Sequence, residues 1–357
     1  MKTSRLLVLT LISITALTSV NWSPDDIQQE VAAQPADKHH GTDVSAVLDV
    51  PLPQDRNLLW CATFQMAWDG AAKQFGRPLT LSAPCPLADR LNAAPFDRRW
   101  VDEAAVFTTE GAIGGGVLDQ ITQEAKRRTG RGSELVADLA KGADPTDLVF
   151  YALLNKELKF PQPFGKLPAT RVGGRRVSWF GFTPEQRDTA PLLKQLRVHH
   201  YGGKRDFVIE LETSDAGEQL LLARLPEPPK TAAELSRTVI GHCQAAPPTG
   251  TGSDLLAVPH LVIDQATRFS ELEGLRVKAN GLILFKALQT IDFKLDEAGV
   301  KLRSEAALSF SCAAQAQVIP RLIIVRPPFA VIMKRTDAPQ PYFVGWFANA
   351  DLLQPGP

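Results

Sequence analysis

The feature that most constrains this chain lies between Ile291 and Cys312. Ile291, Phe293 and Leu295 alternate with Asp292, Lys294 and Asp296. After Glu297-Ala298-Gly299 the alternation resumes. Val300, Leu302, Ser304, Ala306, Leu308, Phe310 and Cys312 stand on one side, and Lys301, Arg303, Glu305, Ala307, Ser309 and Ser311 on the other. A period of two belongs to a strand with one face on a core and the other in water. A chain with so long an amphipathic stretch needs a sheet wide enough to receive it.

The neighbouring sequence supplies strands for such a sheet. Residues 207–211, 218–225, 257–264, 281–295, 299–312, 321–325, 329–335 and 342–349 read as strands, and 148–154 is a short apolar run before them. Helical patterns fall mostly earlier. In 58–72, Leu59, Ala62, Thr63, Met66 and Ala67 share one stripe, Trp60, Phe64 and Trp68 crowd the next, and Gly76-Arg77-Pro78 ends the pattern. The spacing predicts a second helix over 117–128, after the glycine run 111–116. A third is predicted over 231–240, with Thr231 as N-cap and Glu234 three residues on. Residues 78–100 are Pro-rich and read as irregular. Helices early and strands late indicate α+β rather than alternating βα units.

The chain opens with Lys2 and Arg5, then an uncharged apolar run from Leu6 to Val20. Residues 1–22 are expected to be a signal peptide, since the run is short for a membrane span of about 20 apolar residues. An uncleaved N-terminal anchor is the alternative. The expected location is secreted or periplasmic. Residues 23–42 are polar and are expected to form a disordered linker, leaving 43–357 as a single domain. Hydrophobic residues make up 44% of the chain, enough for a sizeable core. Basic and acidic residues balance at 39 each, which removes the electrostatic footprint of a nucleic-acid partner.

The search for chemistry finds little. The glycine run lacks the P-loop Lys-Ser/Thr and the dinucleotide spacing, and a tight turn accounts for it. No Gly-x-Ser-x-Gly elbow and no HExxH is present. No Cys/His cluster has metal-ligand spacing, and His39-His40 and His242-Cys243 stand alone. No cofactor is indicated. Four cysteines, Cys61, Cys85, Cys243 and Cys312, allow three disulfide connectivities, and export would permit them. One enzymatic reading remains. Cys61, after Trp60 at a helix start, is the thiol of a cysteine hydrolase, with His199, His200, His242 or His260 as its base. The competing reading is that Cys61 is a small buried hydrophobe.

The segment FKLDEAGVKLRSEAAL, residues 293–308, resembles the hinge of the reactive loop in the serpin family. Other stretches match the same family in order. Residues 57–62 (NLLWCA) resemble its early Asn and apolar strand. Residues 148–164 (LVFYALLNKELKFPQPF) resemble its central strand with the following Lys and Phe. Residues 220–226 resemble a strand ending in Leu-Pro, and Val258-Pro259-His260 a Leu-Pro-Lys strand start. Pro328-Phe329 and 342–347 (YFVGWF) resemble the closing strands. The resemblance spans 57–72 and 146–353. It departs from the family at Cys61-Ala62, where Ser-Pro is usual, at Pro327, where His is usual, and over 78–135.

The resemblance implies a serpin-like α+β fold, with helices packed on large, mostly antiparallel sheets. It implies a non-enzymatic inhibitor of serine proteases. The protease acylates an exposed loop, and the cleaved loop inserts into the main sheet as a new strand. Glu297, Gly299, Val300, Leu302, Ser304 and Ala306 would form the hinge, and Ala313 and Ala314 would flank the scissile bond. Small residues there imply an elastase-like protease as partner. Against insertion stand the bulk of Leu302 and the charges between Lys301 and Glu305. These keep open a serpin-fold binding or structural protein that does not inhibit.

Overall fold

A computed structural model describes residues 41–133, 135–183, 186, 189–245, 254–301 and 321–357. The first strands, β1 (Thr42–Ser45) and β2 (Asn57–Cys61), lead into the helices Thr63–Phe75 and Pro86–Ala93. Strand β3 (Val106–Ala112), the helices Val117–Thr129 and Leu135–Ala140, and β4 (Leu148–Leu154) follow. Then come β5 (Leu158–Lys159), β6 (Gly165–Val172), β7 (Arg175–Phe182), the short helix Ala190–Lys194, β8 (Leu196–Gly203), β9 (Asp206–Leu211) and β10 (Glu218–Arg224). After the helix Ala232–Ala245 the described elements are all strands: β11 (Leu255–Pro259), β12 (Leu261–Arg268), β13 (Leu288–Asp296), β14 (Gly299–Lys301), β15 (Leu322–Ile324), β16 (Phe329–Arg335) and β17 (Phe343–Phe347).

The strands form a seven-stranded sheet in the order β1-β2-β17-β16-β10-β9-β8, and four-stranded sheets β15-β11-β7-β6 and β12-β13-β14-β5. The pair β3-β4 stands apart. Among the described strands only β1-β2 and β11-β15 pair in parallel. This is the expected α+β class with large, mostly antiparallel sheets. One core cluster joins the seven-stranded sheet to the β7-β11 sheet, with Trp179, Phe180, Phe182, Phe207, Phe329 and Phe347 fully buried in it. In β2 and β17 every residue is buried, so these strands read as continuous apolar runs rather than alternating ones.

That explains the main correction. The stretch 58–72, expected as one helix, divides into strand β2 and a helix that begins at Thr63. An apolar run of this length fits a buried strand or a buried helix equally well. Pairing with β17, from Cys61 opposite Phe343 to Leu58 opposite Trp346, decides for the strand. Residues 281–287 are not strand either. Leu282 and Leu284 engage Val277, Leu275 and Gly274 in local turns, and β13 begins only at Leu288. The expected 257–264 strand breaks at His260 into β11 and β12 of different sheets. Residues 78–100 contain the helix Pro86–Ala93, with Pro86 at its first position, where proline is well tolerated. The helix after the glycine run forms as expected, as does the one capped by Thr231, whose Oγ1 accepts from the Glu234 amide at 3.2 Å.

Candidate functional site

The DEAG segment makes a tight turn that sends the chain back alongside β13 as β14. Asp296 pairs with Gly299, Leu295 with Val300 and Lys294 with Lys301. On its other side β14 pairs with β5, Gly299 with Lys159 and Val300 with Leu158. The Asp296 carboxylate accepts from the Ala298 amide at 2.9 Å. The Phe160 amide donates to Ala298 O at 3.0 Å and the Phe164 amide to Glu297 O at 2.8 Å. Gly299 is required here. Its φ is +146°, and a Cβ would lie 2.3 Å from Leu158 O. Val300 is 3% exposed and points inward, as its alternation predicts.

Lys301 is the last described residue of β14. Among the described residues β13 and β4 are not hydrogen-bonded to each other, and a cavity of about 600 Å³ lies between them. Phe64, Trp68 and Phe75 of the helix Thr63–Phe75 contribute to its lining, together with Phe150 of β4, Phe293 of β13 and Val300. Leu148, Leu282, Ile283 and Phe285 also line it and are among the few exposed large apolar residues described.

At the upper end, between β4 and β5, sits Lys156. Its Nζ lies 2.8 Å from Glu218, 3.0 Å from Asp102 and 3.0 Å from Asp215. The Tyr342 hydroxyl donates to Glu218 at 2.9 Å. Burial works against the Lys156 charge, but hydrogen bonds to Glu218, Asp102 and Asp215 hold its pKa above the ordinary lysine value. Burial raises Glu218 above the usual carboxylate range despite its bond to Lys156. The Lys after the central strand was legible in the sequence, but its three acidic partners, at 102, 215 and 218, were not.

The turn is held on its flank by Glu297, whose Oε1 lies 3.1 Å from Lys166 Nζ and Oε2 3.3 Å from His260 Nε2. Of the hinge and scissile-bond residues expected from the sequence, Glu297, Gly299 and Val300 meet at this turn. Leu302, Ser304, Ala306, Ala313 and Ala314 lie outside the described residues, as does Cys312.

The thiol of Cys61 is no exposed nucleophile. It ends β2 inside the core, not a helix start, and burial raises its pKa above the ordinary thiol value. The imidazoles considered as its base are engaged elsewhere: His199 with Glu210 at 2.9 Å, His200 with Asp206 at 2.9 Å, His242 stacked on His200, and His260 beside Glu297. Cys61, Cys85 and Cys243 are free thiols. Among the described residues no group of three His, Cys, Asp or Glu side chains could hold a metal ion.

No known family profile matches the sequence, and no curated protein matches it. Solved structures do. The chain is similar to Serpin48, described as a highly specific serpin of the insect Tenebrio molitor, at 13% identity and a TM-score of 0.42, over 82% of this chain and 92% of that one. It is also similar to thyroxine-binding globulin in complex with thyroxine, at 15% identity and a TM-score of 0.41, over 66% of this chain and 65% of that one. For the human globulin the values are 16% and 0.41, over 66% and 64%. The chain therefore spans just under two thirds of the globulin chains.

Proposed function

We propose that this chain is an exported, serpin-like inhibitor of a serine protease that works by strand insertion. The observation that carries the reading is β14, a strand seated between β13 and β5 directly after the hinge turn. Continuing its register past Lys301 would set Ser304 opposite Leu154, Ala306 opposite Ala152 and Leu308 opposite Phe150. On the other flank it would set Arg303 opposite Asp292 and Ala307 opposite Leu288. The inward set, Val300, Leu302, Ser304, Ala306 and Leu308, would then cover the apolar cavity, and the charged set would face water. Glu297, Gly299, Val300, Leu302, Ser304 and Ala306 are the proposed hinge, and the bond between Ala313 and Ala314 is the proposed bait. Small residues at that bond favour an elastase-like protease. A protease dragged by the inserting strand loses its catalytic geometry, which tolerates about 1 Å of misplacement.

A non-inhibitory scaffold is the second reading. It is favoured by β14 itself, because a hinge paired on both sides before cleavage has already realised part of the free energy that insertion would release. The test is to mix the full chain with elastase-like and subtilisin-like proteases and look for an SDS-resistant complex. Its formation supports the inhibitor. Simple cleavage without a complex leaves the scaffold.

A further inference from the structure

The large exposed apolar side chains among the described residues are not scattered. Apart from Val262 they are Leu148, Leu282, Ile283 and Phe285, and three of these fall within one tetrapeptide, Leu282-Ile283-Leu284-Phe285. Single exposed apolar residues are ordinary, but a run of them on a surface calls for a use. Residues 274–285 fold back on themselves as a narrow finger. The Val277 amide donates to Leu282 O at 2.8 Å and the Leu284 amide to Leu275 O at 2.9 Å. Arg276 and Ile283 bridge across the finger, and Gly281, at φ +74°, turns its tip. The inner side is committed to the core: Val277 is buried, and Leu275 and Leu284 pack on the same small cluster as Leu79 and Leu81. Both flanks are anchored. The Lys278 amide donates to Thr80 O at 2.8 Å, and Lys286 Nζ donates to the carbonyls of Asp138 and Lys141. Ile283, 48% exposed, and Phe285, 44% exposed, are thus presented to solvent on hydrogen-bonded backbone.

We propose that this finger is a membrane-docking element whose partner is the surface of an anionic lipid bilayer. Charge decides the occupant. Residues 274–287 carry Arg276, Lys278 and Lys286 and no acid, and residues 78–83, which run alongside, carry none either. The carboxylate of Glu273, just before the finger, is taken by Arg268 at 2.6 Å. The acids of the other flank are Asp138, Asp144 and Asp147, in the segment that Lys286 bonds, and Asp144 and Asp147 accept hydrogen bonds within their own turn. The tip, with Arg276 and Lys278, therefore leads. Cation and apolar group stand side by side: Lys286 Nζ lies 5.0 Å from the centroid of the Phe285 ring, and Arg276 is opposite Ile283. A dry protein interface that covered the apolar groups would strand these charges. A lipid interface takes both, because the side chains of Leu282, Ile283 and Phe285 enter the boundary of the acyl chains while the cations stay among the phosphates. With so few groups involved, the adsorption is reversible.

The test is co-sedimentation of the full chain with vesicles of mixed phosphatidylserine and phosphatidylcholine, and with vesicles of phosphatidylcholine alone. The chain should pellet with the first and far less with the second. Binding should weaken as salt is raised, because the attraction decays over the Debye length. Lys278→Gln should weaken it about fivefold, the weight of one cation at an anionic surface. Ile283→Thr combined with Phe285→Ser should weaken it about tenfold or more. Val262→Thr is the control. Val262 is 46% exposed, at the opposite end of β12 from Arg268, which pairs with Leu288, and its loss should change nothing. No binding to either vesicle, equal binding to both, or binding unchanged in the finger variants would overturn the proposal. Self-association that is lost in the double variant, without lipid binding, would make a second copy of the chain the occupant and would overturn it too. Should the double variant fail to fold, Lys278→Gln and the salt series still decide. None of these outcomes depends on the protease-complex test, so either reading can fail alone.

Discussion

Replacing Lys156 with Ala tests what holds the head of the cleft together. Lys156 is 8% exposed and Glu218 is 2% exposed, so their 2.8 Å contact is a buried pair. Asp102 and Asp215 are 38% and 47% exposed, and water can take over their share. The cost therefore falls on Glu218, to which the Tyr342 hydroxyl still donates. Removing one partner of a buried pair costs about 3–5 kcal/mol. Protonation of Glu218 limits this, because its pKa is already raised by burial and would rise further without the lysine. About 3 kcal/mol at pH 7 is the working figure. With an unfolding entropy of about 2.1 cal/mol/K per residue over roughly 300 residues, that lowers Tm by about 5 °C. The pH dependence is the sharper test. In the variant, the folded-state pKa of Glu218 lies above its unfolded value. The stability tied to its neutral form is complete below the unfolded value of about 4.3 and is lost as pH rises through the folded one. The Tm deficit against the parent chain should thus be small at pH 5 and widen toward pH 8 in calorimetric scans. A deficit of a degree or less at every pH, or one that narrows toward pH 8, would refute the buried-pair reasoning.

Gly299→Ala should separate β14 from β5 through the contact with Leu158 O, at a cost of about 1–3 kcal/mol, read as a lower Tm and faster limited proteolysis around 299–301. Cleavage near Ala313 should raise Tm if the strand inserts, with Leu302 adding about 1.5–3 kcal/mol on burial, while Val300, already buried, adds nothing further. Val300→Arg should abolish that rise and also lower the starting Tm, since it puts a charge into a closed site; an unchanged rise would count against insertion along this register. Asp254→Asn should weaken the entry to β15, because Asp254, 2% exposed, accepts from both the backbone and the guanidinium of Arg321. A loss of about 1–3 kcal/mol is expected in denaturant unfolding.

The sequence alone determined the local decisions that rest on side-chain period and backbone stereochemistry. The alternation around Asp-Glu-Ala-Gly set the inward face of Val300 and the position of the turn, because a period of two and a turn composition need no distant partner, whereas the close approach of Leu158 O to Gly299 came only with the packing of β5. Thr231 capped its helix, and the closing strands 329–335 and 342–349 stood out by composition and largely coincide with β16 and β17. The sequence could not decide whether Leu58 to Cys61 is helix or strand, since that depends on β17, which lies nearly three hundred residues away along the chain. Nor could it show that Lys156 meets Asp102, Asp215 and Glu218, that His260 meets Glu297, or that β13 and β4 part to leave a cavity. Burial, pKa and the space between two strands belong to pairs of segments rather than to any one of them. Only the packing of the whole chain fixed them.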